Sequence, residues 1–128
     1  MREIKFRGKR IDSGEWAYGW FSEDSGYVEI LTEYNNYEVI LETVGQYTGL
    51  KDRNGVEIYE GDIITTDLER PYLIVEYRNG AFMLNCNDGL DDYYDIFFGT
   101  REDPQEVYKY GEVIGNIHDN PELMGVMK

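Results

Sequence analysis

Residues 43–64 read TVGQYTGLKDRNGVEIYEGDII and place several turn signals between short apolar runs. The Asn54-Gly55 pair supplies the positive φ angle that a tight turn needs, and Gly61-Asp62 redirects the chain into Ile63. No Gly-Lys-Ser or Gly-Lys-Thr follows, so the glycines do not form a phosphate-binding loop. The stretch therefore predicts backbone geometry: turns that begin and end short strands.

The rest of the chain repeats this pattern. Asn-Gly and Asp-Gly pairs, or Asn-Asn, separate short runs rich in Tyr, Val, Ile, Phe and Thr, which is typical of a β protein. We expect a mainly β fold: a small β-barrel-like (SH3-like) C-terminal part packed with an N-terminal antiparallel β layer, and one or two short helices. The other turn signals are Asp12-Ser13-Gly14, Asp24-Ser25-Gly26, Asn35-Asn36, Asn79-Gly80 and Asp88-Gly89.

Alternating side chains predict the individual strands. In the run Trp16 to Phe21, for example, Trp16, Tyr18 and Trp20 share one face. Arg78-Asn79-Gly80 is the clearest hairpin turn. The other predicted strands are residues 4–8, 27–33, 37–41, 63–66, 72–77, 81–86, 93–98 and 113–117.

Two proline-containing segments indicate short helices. Asp103-Pro104 can begin one that runs to Tyr110 and ends at Gly111, and Asn120-Pro121 can begin another. The 128 residues are enough for one core, so we expect a single domain over residues 1–128, with a seam between two β subdomains near residues 59–62.

The charge is distributed unevenly. The formal net charge is −14, but residues 1–10 carry +4 because of Lys5, Arg7 and their basic neighbours, so the remaining 118 residues carry −18. Such an acidic body repels phosphate, and direct nucleic-acid binding is therefore disfavoured. We expect the basic segment to lie across the acidic body. The alternative is that the chain is an acidic mimic of DNA, which occupies the DNA-binding site of a partner protein.

The cysteine content and the lack of long apolar segments indicate where in the cell the protein acts. Cys86 is the single cysteine, so no intramolecular disulfide can form, and the N-terminus has no apolar signal segment. No apolar run is long enough to cross a bilayer. We therefore expect a cytoplasmic protein without membrane contact, and we expect no cofactor.

Catalytic and metal-binding patterns are weak. His118 is the only histidine, and pairing with Cys86 would be its one nucleophilic arrangement. Cys86 instead follows an alternating apolar pattern and is expected in the core. The acidic loop 88–95 (Asp88, Asp91, Asp92 and Asp95) lacks EF-hand spacing, so a solvated loop is favoured over a cation site. We expect no enzyme.

Several motifs together resemble the YopX family of phage and prophage proteins. The similarity is carried by residues 4–8 (IKFRG), by Glu15-Trp16 to Gly19, by the opening stretch 43–62, and by residues 113–123 (VIGNIHDNPEL); residues 67–110 match loosely. The resemblance implies a β-rich fold and the cytoplasm of an infected or lysogenic bacterium. It implies no activity, cofactor or catalytic residue.

Two classes of function follow. The first is a non-enzymatic phage accessory protein that binds a host or phage protein or forms a homo-oligomer, with exposed aromatic residues as anchors. The predicted surface contains Tyr47 and Tyr59 with the polar residues Gln46, Thr48, Lys51 and Asp52; Tyr93 is a further candidate anchor. The second is a nucleic-acid-related role, through the basic residues 5–10 or as an acidic mimic.

Overall fold

The computed structural model describes residues 5–66, 72–78, 81–85, 94–96, 107–108 and 111–125. The chain divides into two compact units, Met1–Tyr47 and Thr48–Lys128. This division lies between Tyr47 and Thr48. Residues 59–62 lie inside the second unit, and a single domain with a seam near residues 59–62 stays a prediction. Strand β5 begins in the first unit and ends in the second.

The N-terminal unit is an antiparallel sheet with the strand order β5-β1-β2-β3-β4. The hairpin between β2 and β3 turns at Ser25 and Gly26, both of which have a positive φ, as the Asp-Ser-Gly signal predicts. The elements are β1 (Phe6–Lys9), β2 (Trp16–Asp24), β3 (Tyr27–Leu31), β4 (Asn36–Glu38), a 3₁₀ helix (Leu41–Thr43) and the start of β5 (Gly45–Asp52).

The first sheet curls back on itself around an apolar core. A single antiparallel bridge joins Arg10, after β1, to Val39, after β4, and Ile40 N–H donates to the Lys9 carbonyl. The core residues Ala17, Ile30 and Val39 are buried, and five partly buried side chains pack against them: Phe6, Phe21, Val28, Tyr37 and Val44. The odd-numbered positions of β2 therefore face the core.

The C-terminal unit contains a second sheet with the order β10-β9-β8-β7-β12. The end of β5 pairs with β6 and, in parallel, with β11. The elements are β6 (Glu57–Tyr59), β7 (Asp62–Thr66), β8 (Leu73–Arg78), β9 (Ala81–Asn85), β10 (Tyr94–Ile96), β11 (Val107–Tyr108), β12 (Gly111–Asn116) and helix α1 (Pro121–Gly125). Its core comprises Leu50, Ile58, Ile64, Leu73, Val75, Phe82 and Leu84.

The mainly β class is confirmed. Strands β8 and β9 pair antiparallel as far as Arg78 and Ala81, as the predicted hairpin requires; Asn79 and Gly80 lie outside the described residues. Helix α1 begins at Pro121 as predicted. The barrel-like C-terminal part is an open five-stranded sheet: across the residues described, no pairing joins its edge strands β10 and β12.

One prediction of local structure is wrong, and one strand was not predicted. The helix expected from Asp103 to Tyr110 is replaced at Val107–Tyr108 by strand β11, which pairs with Lys51 and Asp52 of β5. Pairing with a distant strand thus overrides the local helix signal. The sequence also gave no indication that β5 is one continuous eight-residue strand, Gly45–Asp52.

Gly19 is required by close packing of two strands. A Cβ at this position would overlap the carbonyl oxygen of Leu31, a backbone atom that cannot rotate away. We therefore expect Gly19→Ala to lower the free energy of unfolding by about 3 kcal/mol. The control Ser22→Ala changes a half-buried residue of the same strand and should cost far less. Equal urea midpoints for the two variants would contradict this packing.

Candidate functional site

The six residues of the predicted surface differ in exposure. Gln46 is half-buried and Lys51 is exposed. The other four, Tyr47, Thr48, Asp52 and Tyr59, are at most 5% exposed. These four side chains are therefore buried within the chain in this conformation, whereas Gln46 and Lys51 reach solvent. That the six residues form a partner surface stays a prediction.

Thr48 satisfies backbone groups inside the C-terminal unit. Its hydroxyl donates to the Ile58 carbonyl oxygen at 2.8 Å and accepts from Leu50 N–H at 3.1 Å. A buried hydroxyl must be hydrogen-bonded to offset the loss of water. Thr48 therefore fixes the pairing of β5 with β6.

The Asp52 side chain accepts three hydrogen bonds from backbone N–H groups. One carboxylate oxygen, Oδ1, accepts from Asn54 N–H at 2.8 Å and from Val56 N–H at 2.9 Å. The other, Oδ2, accepts from Val113 N–H at 2.8 Å. The side chain is 1% exposed, so these donors replace the water that a charged carboxylate would otherwise hold. Asp52 thus joins the Asn54-Gly55 turn to strand β12.

The rim of this turn adds polar contacts to the same strand. Arg53 N–H donates to the Gly111 carbonyl at 3.2 Å, and the Asn54 amide donates to Glu112 Oε2 at 2.8 Å. The Arg53 guanidinium lies 3.7 Å from Glu112 Oε1. An exposed pair of this kind adds little stability. The predicted tight turn is confirmed, with Gly55 at φ 84°.

Tyr59 and Asp62 form a second internal anchor. Tyr59 N–H donates to Asp62 Oδ2 at 2.7 Å, and the Tyr59 hydroxyl donates to Glu57 Oε1 at 3.2 Å. Gly61 between them has φ 93°, which an L side chain rarely adopts. Its N–H and carbonyl bond Val75 and Ile117 respectively. The Gly61-Asp62 pair therefore positions β7, as the sequence predicts.

His118 lies in a turn held by Asn116. The Asn116 side-chain oxygen accepts from His118 N–H at 3.0 Å and from Asp119 N–H at 2.9 Å. The imidazole is half-buried and does not continue the strand, because β12 ends at Asn116. Cys86, Tyr93 and Asp88, Asp91 and Asp92 of the acidic loop lie outside the described residues.

The described residues contain neither a grouped set of metal ligands nor a membrane-spanning helix. In the part of the chain described, no three His, Cys, Asp or Glu side chains are grouped so as to hold a metal ion. No helix in the described ranges is long and apolar enough to cross a bilayer.

The basic side chains of the first unit lie against aromatic rings. Arg7 is buried and its guanidinium carbon is 4.5 Å from the centre of the Trp16 ring, while Lys9 Nζ is 5.7 Å from the same ring. Arg10 lies 4.2 Å from the Tyr37 ring. The basic segment is thus largely engaged within its own unit.

Arg10 also forms a two-point hydrogen bond with Asp12. Its Nε and one terminal nitrogen donate to the two carboxylate oxygens at 3.0 and 2.8 Å. This hydrogen bond lowers the pKa of Asp12 and raises that of Arg10. This contact joins Arg10 to a neighbour two positions away; that the basic segment lies across the acidic body stays a prediction.

The outward face of β2 displays large aromatic side chains. Trp20 is 62% exposed and Tyr18 is 47% exposed. The prediction that Trp16, Tyr18 and Trp20 share a face is confirmed, but that face looks outward, since Ala17 and Phe21 face the core. The alternation was visible in the sequence, whereas the inward direction is shown by the packing of Ala17 and Phe21 in the core.

These features define a class of protein: a small two-unit β protein whose buried polar groups bind its own backbone and whose first sheet presents aromatic residues to solvent. A family model described as YopX protein matches residues 5–125. The chain belongs to the YopX family.

A solved structure agrees with this fold. The chain is similar to the crystal structure of protein EF1440 from Enterococcus faecalis, with a TM-score of 0.55 and 24% identity over 97% of this chain and 99% of that one. This likeness concerns the fold alone. No curated protein matches the chain.

Asp52→Asn should destabilise the C-terminal unit. The amide keeps one acceptor oxygen but directs an NH₂ group at a backbone N–H, which leaves a buried donor without an acceptor. We expect a loss of about 3 kcal/mol in the free energy of unfolding, measured by urea denaturation.

The matched control is Asp24→Asn, an exposed carboxylate in the β2–β3 hairpin. It should change stability by less than about 0.5 kcal/mol. Equal effects of the two substitutions would show that the Asp52 carboxylate does not hold the turn to β12.

Proposed function

We propose that this chain is a non-enzymatic phage or prophage accessory protein that binds a protein partner through the outer face of its N-terminal sheet. The observation that carries this proposal is the exposure of Trp20 and Tyr18 on one strand. Large aromatic side chains are the commonest anchors of protein interfaces. Leu31, directly opposite Trp20 on β3, extends the apolar surface.

The buried polar groups support a binding role over an enzymatic one. The carboxylates of Asp52 and Asp62 and the hydroxyl of Thr48 bond backbone groups. They therefore fix turns and strands rather than converge on a substrate. Membership of the YopX family supports a phage or prophage origin and action in the cytoplasm of a bacterial host.

The contacts of the basic segment weigh against direct nucleic-acid binding. Arg7 is buried over Trp16, and Arg10 is held between Tyr37 and Asp12. Phosphate contacts need cations that can reach the surface of the duplex. The DNA-mimic alternative is supported by net charge alone, so we place it second.

Removing the aromatic anchors should abolish partner binding. We expect the wild-type chain to retain a specific protein from bacterial lysate. The double variant Tyr18→Ala/Trp20→Ala should retain about tenfold less of it, since loss of interface anchors weakens binding at least this much. Quantitative mass spectrometry of the retained proteins measures the ratio. Light scattering of the purified chain would reveal a second copy as the partner.

The matched control is Ile11→Ala/Tyr34→Ala, which removes two side chains that are 56% and 85% exposed elsewhere in the same unit. This variant should bind like the wild type. Equal retention by all three chains, together with a monomer that the substitutions do not affect, would refute the proposed function.

A further inference from the structure

Neighbouring strands of the first sheet place their outward side chains in register. Trp20 of β2 lies opposite Leu31 of β3, and in the adjacent row Ser22 lies opposite Glu29, which lies opposite Glu38 of β4. The core-facing positions of β3 are Val28 and Ile30, so Glu29 and Leu31 point outward with Trp20. An apolar row and an acidic row therefore lie side by side on one face.

The acidic row brings two glutamates together. Glu29 and Glu38 are directly opposite each other across an antiparallel pair, an arrangement in which like charges repel and destabilise the sheet. Glu29 is half-buried and Glu38 is exposed. A cation bound between the two carboxylates would relieve this repulsion.

The same face already holds cations against its aromatic rings. Trp16 lies on the same outward face of β2, four residues before Trp20. The guanidinium of Arg7 lies 4.5 Å from the Trp16 ring centre. Trp20 has the same ring chemistry and is 62% exposed. Its face can accept a guanidinium in the same way, with the carboxylates of the next row as counter-charges.

We propose that this face, formed by Tyr18, Trp20, Leu31, Glu29 and Glu38, binds an arginine-containing basic segment of a partner protein; this rests on the proposed function. Arginine suits both halves of the face, because its planar group stacks on aromatic rings and forms paired hydrogen bonds with carboxylates. The net charge of −14 attracts a basic partner and opposes a second copy of the chain.

A labelled peptide of alternating arginine and glycine is the probe. Its fluorescence anisotropy should rise on titration with the full-length protein, and the same peptide with neutral citrulline in place of arginine should not respond. Trp20→Ala should weaken binding by about threefold, the value expected for losing one exposed cation–aromatic contact.

Charge on the face must be separated from charge on the whole chain. Glu29→Gln/Glu38→Gln should weaken binding of the arginine peptide by about fivefold. The matched control Glu42→Gln/Glu122→Gln removes the same charge from two exposed positions off the face and should change binding less than twofold. Equal weakening by both pairs, equal binding of the citrulline peptide, or no binding of the arginine peptide would overturn the proposal.

The two proposals can fail separately. A lysate protein whose retention needs Tyr18 and Trp20 but is unchanged by Glu29→Gln/Glu38→Gln would leave the proposed function standing and would overturn the basic partner. Self-association of the chain that needs Trp20 would likewise leave the proposed function standing and overturn the basic partner. Retention that is lost in both face variants and kept in both controls supports the basic partner.

Discussion

The fold of the C-terminal unit depends on the buried carboxylate of Asp52. A charged group that is 1% exposed is costly unless donors replace its water, and here the donors are the N–H groups of Asn54, Val56 and Val113. The first two close a turn beside Asp52, and the third lies 61 positions away on β12. One side chain therefore joins two of the stretches that carry the family resemblance, residues 43–62 and 113–123. The buried polar residues Thr48, Asp52 and Asn116 of these stretches bond backbone groups.

The units differ in how they use polar and aromatic side chains. In the C-terminal unit, Thr48, Asp52, Asp62 and Asn116 are all buried and all bond main-chain groups. In the N-terminal unit Ala17 and Phe21 of β2 face the core, whereas Tyr18 and Trp20 lie on the solvent-exposed side of the sheet. The exposed aromatic side chains do not contribute to that core. Exposed apolar patches of this kind are typical of sites that bind a partner. The family assignment and the fold are thus compatible with the proposed binding of a protein partner.

Much of the local structure could be predicted from the sequence. Asn79-Gly80 gave the β8–β9 hairpin and Asn54-Gly55 the tight turn, because these pairs demand backbone angles that few other residues adopt. Alternation placed Trp16, Tyr18 and Trp20 on one face. It could not say which face is buried, since that depends on packing against residues of other strands, such as Ile30 of β3. The burial of Asp52 could not be predicted either, because its third donor, Val113 N–H, is far away in the sequence. The strand at Val107–Tyr108 likewise forms by pairing with the distant strand β5.

Amide hydrogen exchange in the wild-type chain tests the role of Asp52 most directly. Asn54 and Val56 lie in an exposed turn, where N–H groups ordinarily exchange fast, but both donate to the buried carboxylate. If that carboxylate holds the turn to β12, the N–H groups of Asn54, Val56 and Val113 will share one opening free energy, as high as that of the core strand β7. Fast exchange at Asn54 and Val56 with a protected Val113 would contradict the central role of Asp52.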